Sequence, residues 1–159
     1  MITNEELNER VAILHKFKNL LEQQRAKFQE YLTVLEKQQD SISSEDAEKL
    51  IAHTELEQQV VRNLSNLQKV IVPMSKLYKK SNEKILTKNN DDEDISKIQN
   101  ELNDLQKKVL KQNEVNRELL RTHIENIRTQ LNSLKNPYKN NRSVYAQKQP
   151  VAQFVQVEA

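Results

Sequence analysis

No glycine occurs in this chain of 159 residues, where average usage would supply roughly 11. Glycine is the residue that reaches positive φ without penalty, in tight turns, strand bulges and loops that cradle phosphate. Its absence argues against a turn-rich β fold and against every nucleotide loop built on glycine. Prolines are three, at Pro73, Pro137 and Pro150, which leaves long stretches uninterrupted. Charged residues make up 30% and aromatics 4%, the profile of long helices with solvated faces. The fold class is all-α.

Hydrophobic spacing divides the chain into three helical runs, over about 5–39, 44–86 and 95–136, and a tail over 137–159. In the first run Leu7, Val11, Leu14, Leu21, Phe28, Leu32 and Leu35 recur at alternating heptad steps, with Lys18 and Arg25 in the two skipped places. A second stripe of Ile13, Phe17, Leu20, Tyr31 and Val34 widens the face beyond a two-stranded seam, so this helix meets two neighbours. "DSISSEDAEKL" reads as a break and restart, with Ser43 or Ser44 as the cap of the second run. Its stripe, Val60, Leu64, Leu67, Ile71, Met74 and Tyr78, continues past Pro73, which predicts a bend there. After "TKNNDDEDIS", Asp94 is the expected cap of the third run, and Pro137 its expected stop. Three long helices able to pack antiparallel form a coiled-coil-like bundle or hairpin over residues 1–136. Residues 137–159 lose helical period and are expected to be flexible.

The third run contains an anomaly. Its stripe passes through Leu102, Leu105 and Val109 and resumes at Leu120, Ile124, Ile127, Leu131 and Leu134, but Asn113 and Asn116 occupy the steps between. From Ile95 to Leu134 the stripe takes eleven steps over 39 residues, about 3.55 per step, between a supercoiled heptad and a straight helix. Two readings fit the amides. They fix register and partner choice within a bundle, or they mark a portion that the chain itself does not cover. In the second case amides tolerate water and then bond a partner, and the apolar residues beyond them form the wall of a groove for an amphipathic helix.

Chemistry of other kinds finds little support. There is no cysteine, hence no disulfide, thiolate nucleophile or Cys-type zinc site. His15, His53 and His123 have no ligand partners at metal spacing. Neither a catalytic constellation nor a cofactor site is expected. A formal charge of +2 is far from a nucleic-acid footprint. No apolar run reaches the roughly 18 residues that span a bilayer, and "MITNEELNER" is not a signal peptide. The expected location is cytoplasmic.

"LKQNEVNRELLRTHIENIRTQLNSL", followed by a proline–tyrosine tail, resembles the C-terminal half of the FlgN family of flagellar export chaperones. The resemblance rests on Leu110, Asn113, Asn116, Leu119, Leu120, Ile124, Leu131 and Leu134, with Tyr145 of "RSVYAQKQ" where the family tends to have tyrosine before glycine. It covers about residues 105–146, and Ala146 stands in the glycine's place. It implies a chaperone of flagellar type III export. Such a protein binds the C-terminal amphipathic helices of hook–filament junction (hook-associated) proteins, prevents their premature assembly and presents them to the cytoplasmic domain of the export gate. The cargo-binding residues implied here are Asn113, Asn116, Leu119, Leu120, Ile124, Ile127, Leu131 and Leu134, and the gate-docking residues Tyr145 and Val144. The competing class is an oligomerising coiled-coil scaffold that carries no cargo. The oligomeric state stays open.

Overall fold

A computed structural model describes residues 3–83 and 90–139, with side chains through Leu134. All of the described secondary structure is helical, in three elements: α1 (Asn4–Ser43), α2 (Ala47–Glu83) and α3 (Asn90–Lys139). The chain divides into two compact units, Met1–Leu119 and Leu120–Ala159.

Side-chain bonds fix the directions of the helices in the first unit. Gln24 meets Gln68, Tyr31 meets Glu57 and Ser41 meets His53, so α1 and α2 run antiparallel. Arg10 meets Asp92, Lys18 meets Asp94, Arg25 meets Glu101 and Gln39 meets Gln112, so α1 and α3 run parallel. The order is up-down-up, as the two breaks in hydrophobic pattern require. Leu14, Phe17 and Leu21 of α1 meet Ile71 of α2 and Ile95, Ile98 and Leu102 of α3 in one core, flanked by Phe28, Leu67, Met74 and Tyr78. The Phe17 and Tyr78 rings stack tilted at a centroid distance of 4.9 Å. Val34, Leu35, Ile42, Val60, Leu105 and Val109 are buried further along. The two stripes of α1 thus serve two neighbours.

The helix ends differ from the sequence expectation in chemically legible ways. Thr3 caps α1 in a capping box: its hydroxyl accepts from the Glu6 N–H and its own N–H donates to the Glu6 carboxylate. α1 runs to Ser43 rather than Gln39, and Ser44 is its C-cap. Glu45 then takes φ 57°. Its N–H donates to the Ile42 carbonyl and that of Asp46 to the Ser41 carbonyl, a Schellman arrangement normally closed by glycine. Neither Ser43 nor Ser44 caps α2. Asp46 does, its carboxylate accepting from the Lys49 N–H at 3.1 Å, because both serines are consumed in ending α1.

Asp94 is not the cap of α3, which begins at Asn90 and places Asp91, Asp92 and Glu93 in its first turn. Asp94 instead pairs with Lys18. The acidic run suits the positive end of a helix dipole, which a coil reading of "NDDED" undervalued. α3 ends at Lys139, past Pro137. A proline near a helix end removes one donor from the last turn only. α2 continues through Pro73. Pro73 and Lys69 are both exposed, so the Lys69 carbonyl that loses its donor can be hydrated. No helix among the described residues is long and apolar enough to cross a membrane.

Candidate functional site: an exposed apolar helix face

The anomalous amides lie inside the bundle. Asn116 is 6% exposed; its amide donates to the Leu35 carbonyl at 2.8 Å and to Gln38 Oε1 at 3.4 Å. Gln112 donates to Asn116 Oδ1 at 2.9 Å and to Gln39 Oε1 at 2.6 Å. Half-buried Asn113 donates to the Tyr31 hydroxyl at 3.3 Å. That hydroxyl donates to Glu57, which also accepts from Gln38. The result is a polar layer joining α1, α2 and α3. Burial, the larger influence, pushes the Tyr31 pKa above its usual value; the Asn113 bond opposes this, and the charge of Glu57 adds to it.

The structure therefore gives Asn113 and Asn116 the register-fixing geometry, not that of an uncovered surface. The surrounding Gln38, Gln39, Gln112 and Tyr31 were not legible as their partners. Glutamine on a helix surface is ordinary, and only the register of packed helices brings these together. Paired positions of α1 and α3 here differ by 73 to 82 residues. α1 ends at Ser43, so its partners for α3 are nearly used up at Asn116.

A second polar constellation joins the helices near residue 10. Arg10 donates to Asp92 at 3.0 Å and to Asn82 at 3.2 Å, and the Tyr78 hydroxyl donates to the other Asp92 oxygen at 2.8 Å. Arg10 and Asp92 are both buried, and Arg10 Nε has no hydrogen-bond partner among the described residues. Burial first, then the neighbouring Asp92, raises the Tyr78 pKa, which the Asn82 bond and the Arg10 charge oppose. Lys18 and Arg25, the two interruptions of the α1 stripe, form ion pairs with Asp91 and Asp94 and with Glu101. The Asp94 hydrogen bond leads the influences that raise the Lys18 pKa. These groups tie helices together and show no reactive geometry. His53 accepts or donates to Ser41 at 2.9 Å. Among the described residues no three His, Cys, Asp or Glu side chains converge as metal ligands.

The remaining predicted site residues behave differently. Leu119, in the first unit, is half-buried. In the second unit Leu120, Ile124, Ile127, Leu131 and Leu134 follow one another at steps of 4, 3, 4 and 3 along α3, hence on one face. Their exposures run from 40% at Leu120 to 69% at Leu134. Isolated exposed leucines are normal on a protein surface; these five recur in heptad register along one helix face. The expected gate-docking residues Val144 and Tyr145 lie outside the described residues.

Three long helices joined by polar constellations, with exposed apolar residues in heptad register along α3, define the class of this all-α chain. The family model for the FlgN protein matches residues 13–151, and the chain belongs to the FlgN family of flagellar export chaperones. It is 35% identical over 134 residues to a Treponema pallidum (strain Nichols) protein that bears the description "Uncharacterized protein", covering 84% of this chain and 82% of the relative. No solved structure matches.

Proposed function

We propose that this chain is a cytoplasmic chaperone of flagellar type III export. It receives the C-terminal amphipathic helices of hook–filament junction proteins on Leu120, Ile124, Ile127, Leu131 and Leu134. It prevents their premature assembly and delivers them to the export gate. The observation that carries the reading is the exposed five-residue seam in heptad register. A cargo helix laid along it buries both apolar faces at i, i+3, i+4 and i+7. Full burial of each such side chain contributes about 1.5–3 kcal/mol. Asn113 and Asn116 serve this function by holding α3 in register, a role their bonds to Tyr31, Leu35 and Gln38 support.

Replacing Ile124 or Leu131 with aspartate abolishes binding of a junction-protein C-terminal helix and leaves the helical circular dichroism in place. Alanine at either position weakens binding about tenfold or more. Cargo binding unchanged by the aspartates, or global unfolding of these variants, overturns the assignment. Docking at the gate falls to Tyr145, with Val144 beside it, on the strength of the family relationship. Tyrosine offers a large contact area at modest rotamer loss. In a pull-down with the gate's cytoplasmic domain in the presence of cargo, Tyr145→Ala is recovered less than wild type. Equal recovery removes Tyr145 from the docking role.

A further inference from the structure

The solvent side of α2 carries positive charge that no described acid takes up. Of the chain's 25 Lys and Arg, five lie within residues 58–82, where Asp and Glu are absent; the other 20 stand against all 23 acids. These five are Arg62, Lys69, Lys76, Lys79 and Lys80, and every one is exposed. Among the described residues none of them forms an ion pair; Arg62 Nε donates to the Gln58 carbonyl of its own helix. Steps of 7, 7 and 4 residues put Arg62, Lys69, Lys76 and Lys80 on one side of the helix, opposite buried Val60 and Ile71. The row runs for about 27 Å. Exposed Val70 and Leu77 border it on one side and exposed Val72 on the other.

We infer that this row docks α2 on an anionic bilayer surface, a contact that uses no residue of the proposed cargo face. Lysines supply four of the five charges. Lysine is a hydrated point charge that lacks the planar fork by which arginine grips a single carboxylate, and it is depleted in protein interfaces. A line of such charges suits a diffuse negative surface, where each contributes through the surface potential. The short apolar side chains beside the row add contact at the headgroup level, and no described helix spans the bilayer. Nucleic acid fits less well. The one aromatic residue of 58–82, Tyr78, is packed on Phe17, so no ring of this stretch is left to stack on a base.

Flotation of the full chain with vesicles tests the contact. At low salt the chain binds vesicles of equal parts phosphatidylglycerol and phosphatidylcholine and does not bind vesicles of phosphatidylcholine alone. Binding is lost at about 1 M salt, where the screening length falls to about 3 Å. Lys69→Gln with Lys76→Gln weakens binding about thirtyfold, or about fivefold for each charge, and leaves the circular dichroism unchanged. Lys69→Glu with Lys76→Glu removes binding. Lys107→Gln with Lys108→Gln takes the same charge from exposed positions of α3 and leaves binding unchanged. Binding to neither vesicle, equal binding to both, or binding that survives Lys69→Glu with Lys76→Glu overturns the inference. So does an equal loss on changing Lys107 and Lys108, which makes net charge the cause. A duplex oligonucleotide or polyglutamate that binds tighter than the anionic vesicles at equal concentration of negative charge, and is lost with the same Lys69 and Lys76 changes, assigns the row to another partner and overturns the bilayer.

Discussion

Glu45 shows what a chain without glycine does at a helix end. It holds the left-handed conformation at φ 57°, which is open to glycine at no steric penalty. Glu45→Gly should raise stability by about 0.5–1 kcal/mol, the relieved strain being partly offset by a more flexible unfolded chain. A urea midpoint that falls instead would show that contacts of the Glu45 side chain outweigh the backbone. Asn116 is the opposite case, a residue whose local chemistry misleads until its surroundings are known. In sequence it interrupts an apolar stripe; in the bundle it bonds the Leu35 carbonyl, Gln38 and Gln112. Asn116→Ala should lower stability by about 1–3 kcal/mol, since buried amides of its neighbours lose their partner. An unchanged unfolding curve would mean that water replaces it.

At the scale of elements, the apolar stripes identified three helices and the two faces of α1, because burial imposes period on sequence. The ionic connections between helices were legible only as gaps. Lys18 and Arg25 stood out as missing apolar steps, but nothing in one sequence says that Asp94 and Glu101 lie opposite them. Partly exposed pairs of this kind contribute about 0–1 kcal/mol. The buried Arg10–Asp92 pair is another matter. Arg10→Met removes the Arg10 guanidinium from the buried Asp92 carboxylate and should cost up to about 3–5 kcal/mol. Combining it with Asp92→Leu should recover most of that loss in urea unfolding. A double variant as unstable as Arg10→Met alone would place the cause in packing, not charge. Tyr78 and Tyr31 link the same elements to pH. Both phenols have folded-state pKa values above 10, so the neutral phenol is the form that the bundle favours. Their contribution is complete below pH 10 and is lost as pH rises through the raised values. Thermal stability should therefore fall above pH 10, and less steeply in Tyr31→Phe; an identical slope would remove Tyr31 from the cause.

For the whole molecule, composition and period change together after Asn136 in the sequence, and residues 140–159 of the expected tail lie outside the described residues. The sequence did not separate covered from uncovered parts of one continuous stripe. Leu102 and Ile124 carry the same spacing and nearly the same chemistry, yet one is 5% exposed and the other 43%. Which residues of a stripe are covered depends on the register of packed helices, which hydrophobic pattern does not encode. The apolar spacing in the sequence named the five residues of this face; the polar layer around Asn116 had to come from the packed helices. The central claim is that Leu120–Leu134 presents a face left open for a cargo helix. Because the native chain has no cysteine, single substitutions can report this directly. Thiol labelling of Ile127→Cys should be fast in the free protein and strongly slowed by a hook–filament junction C-terminal helix. Val109→Cys, at a site 5% exposed, should label slowly with or without that helix. Slow labelling of Ile127→Cys in the free protein, or a fast rate that cargo leaves unchanged, would contradict the claim.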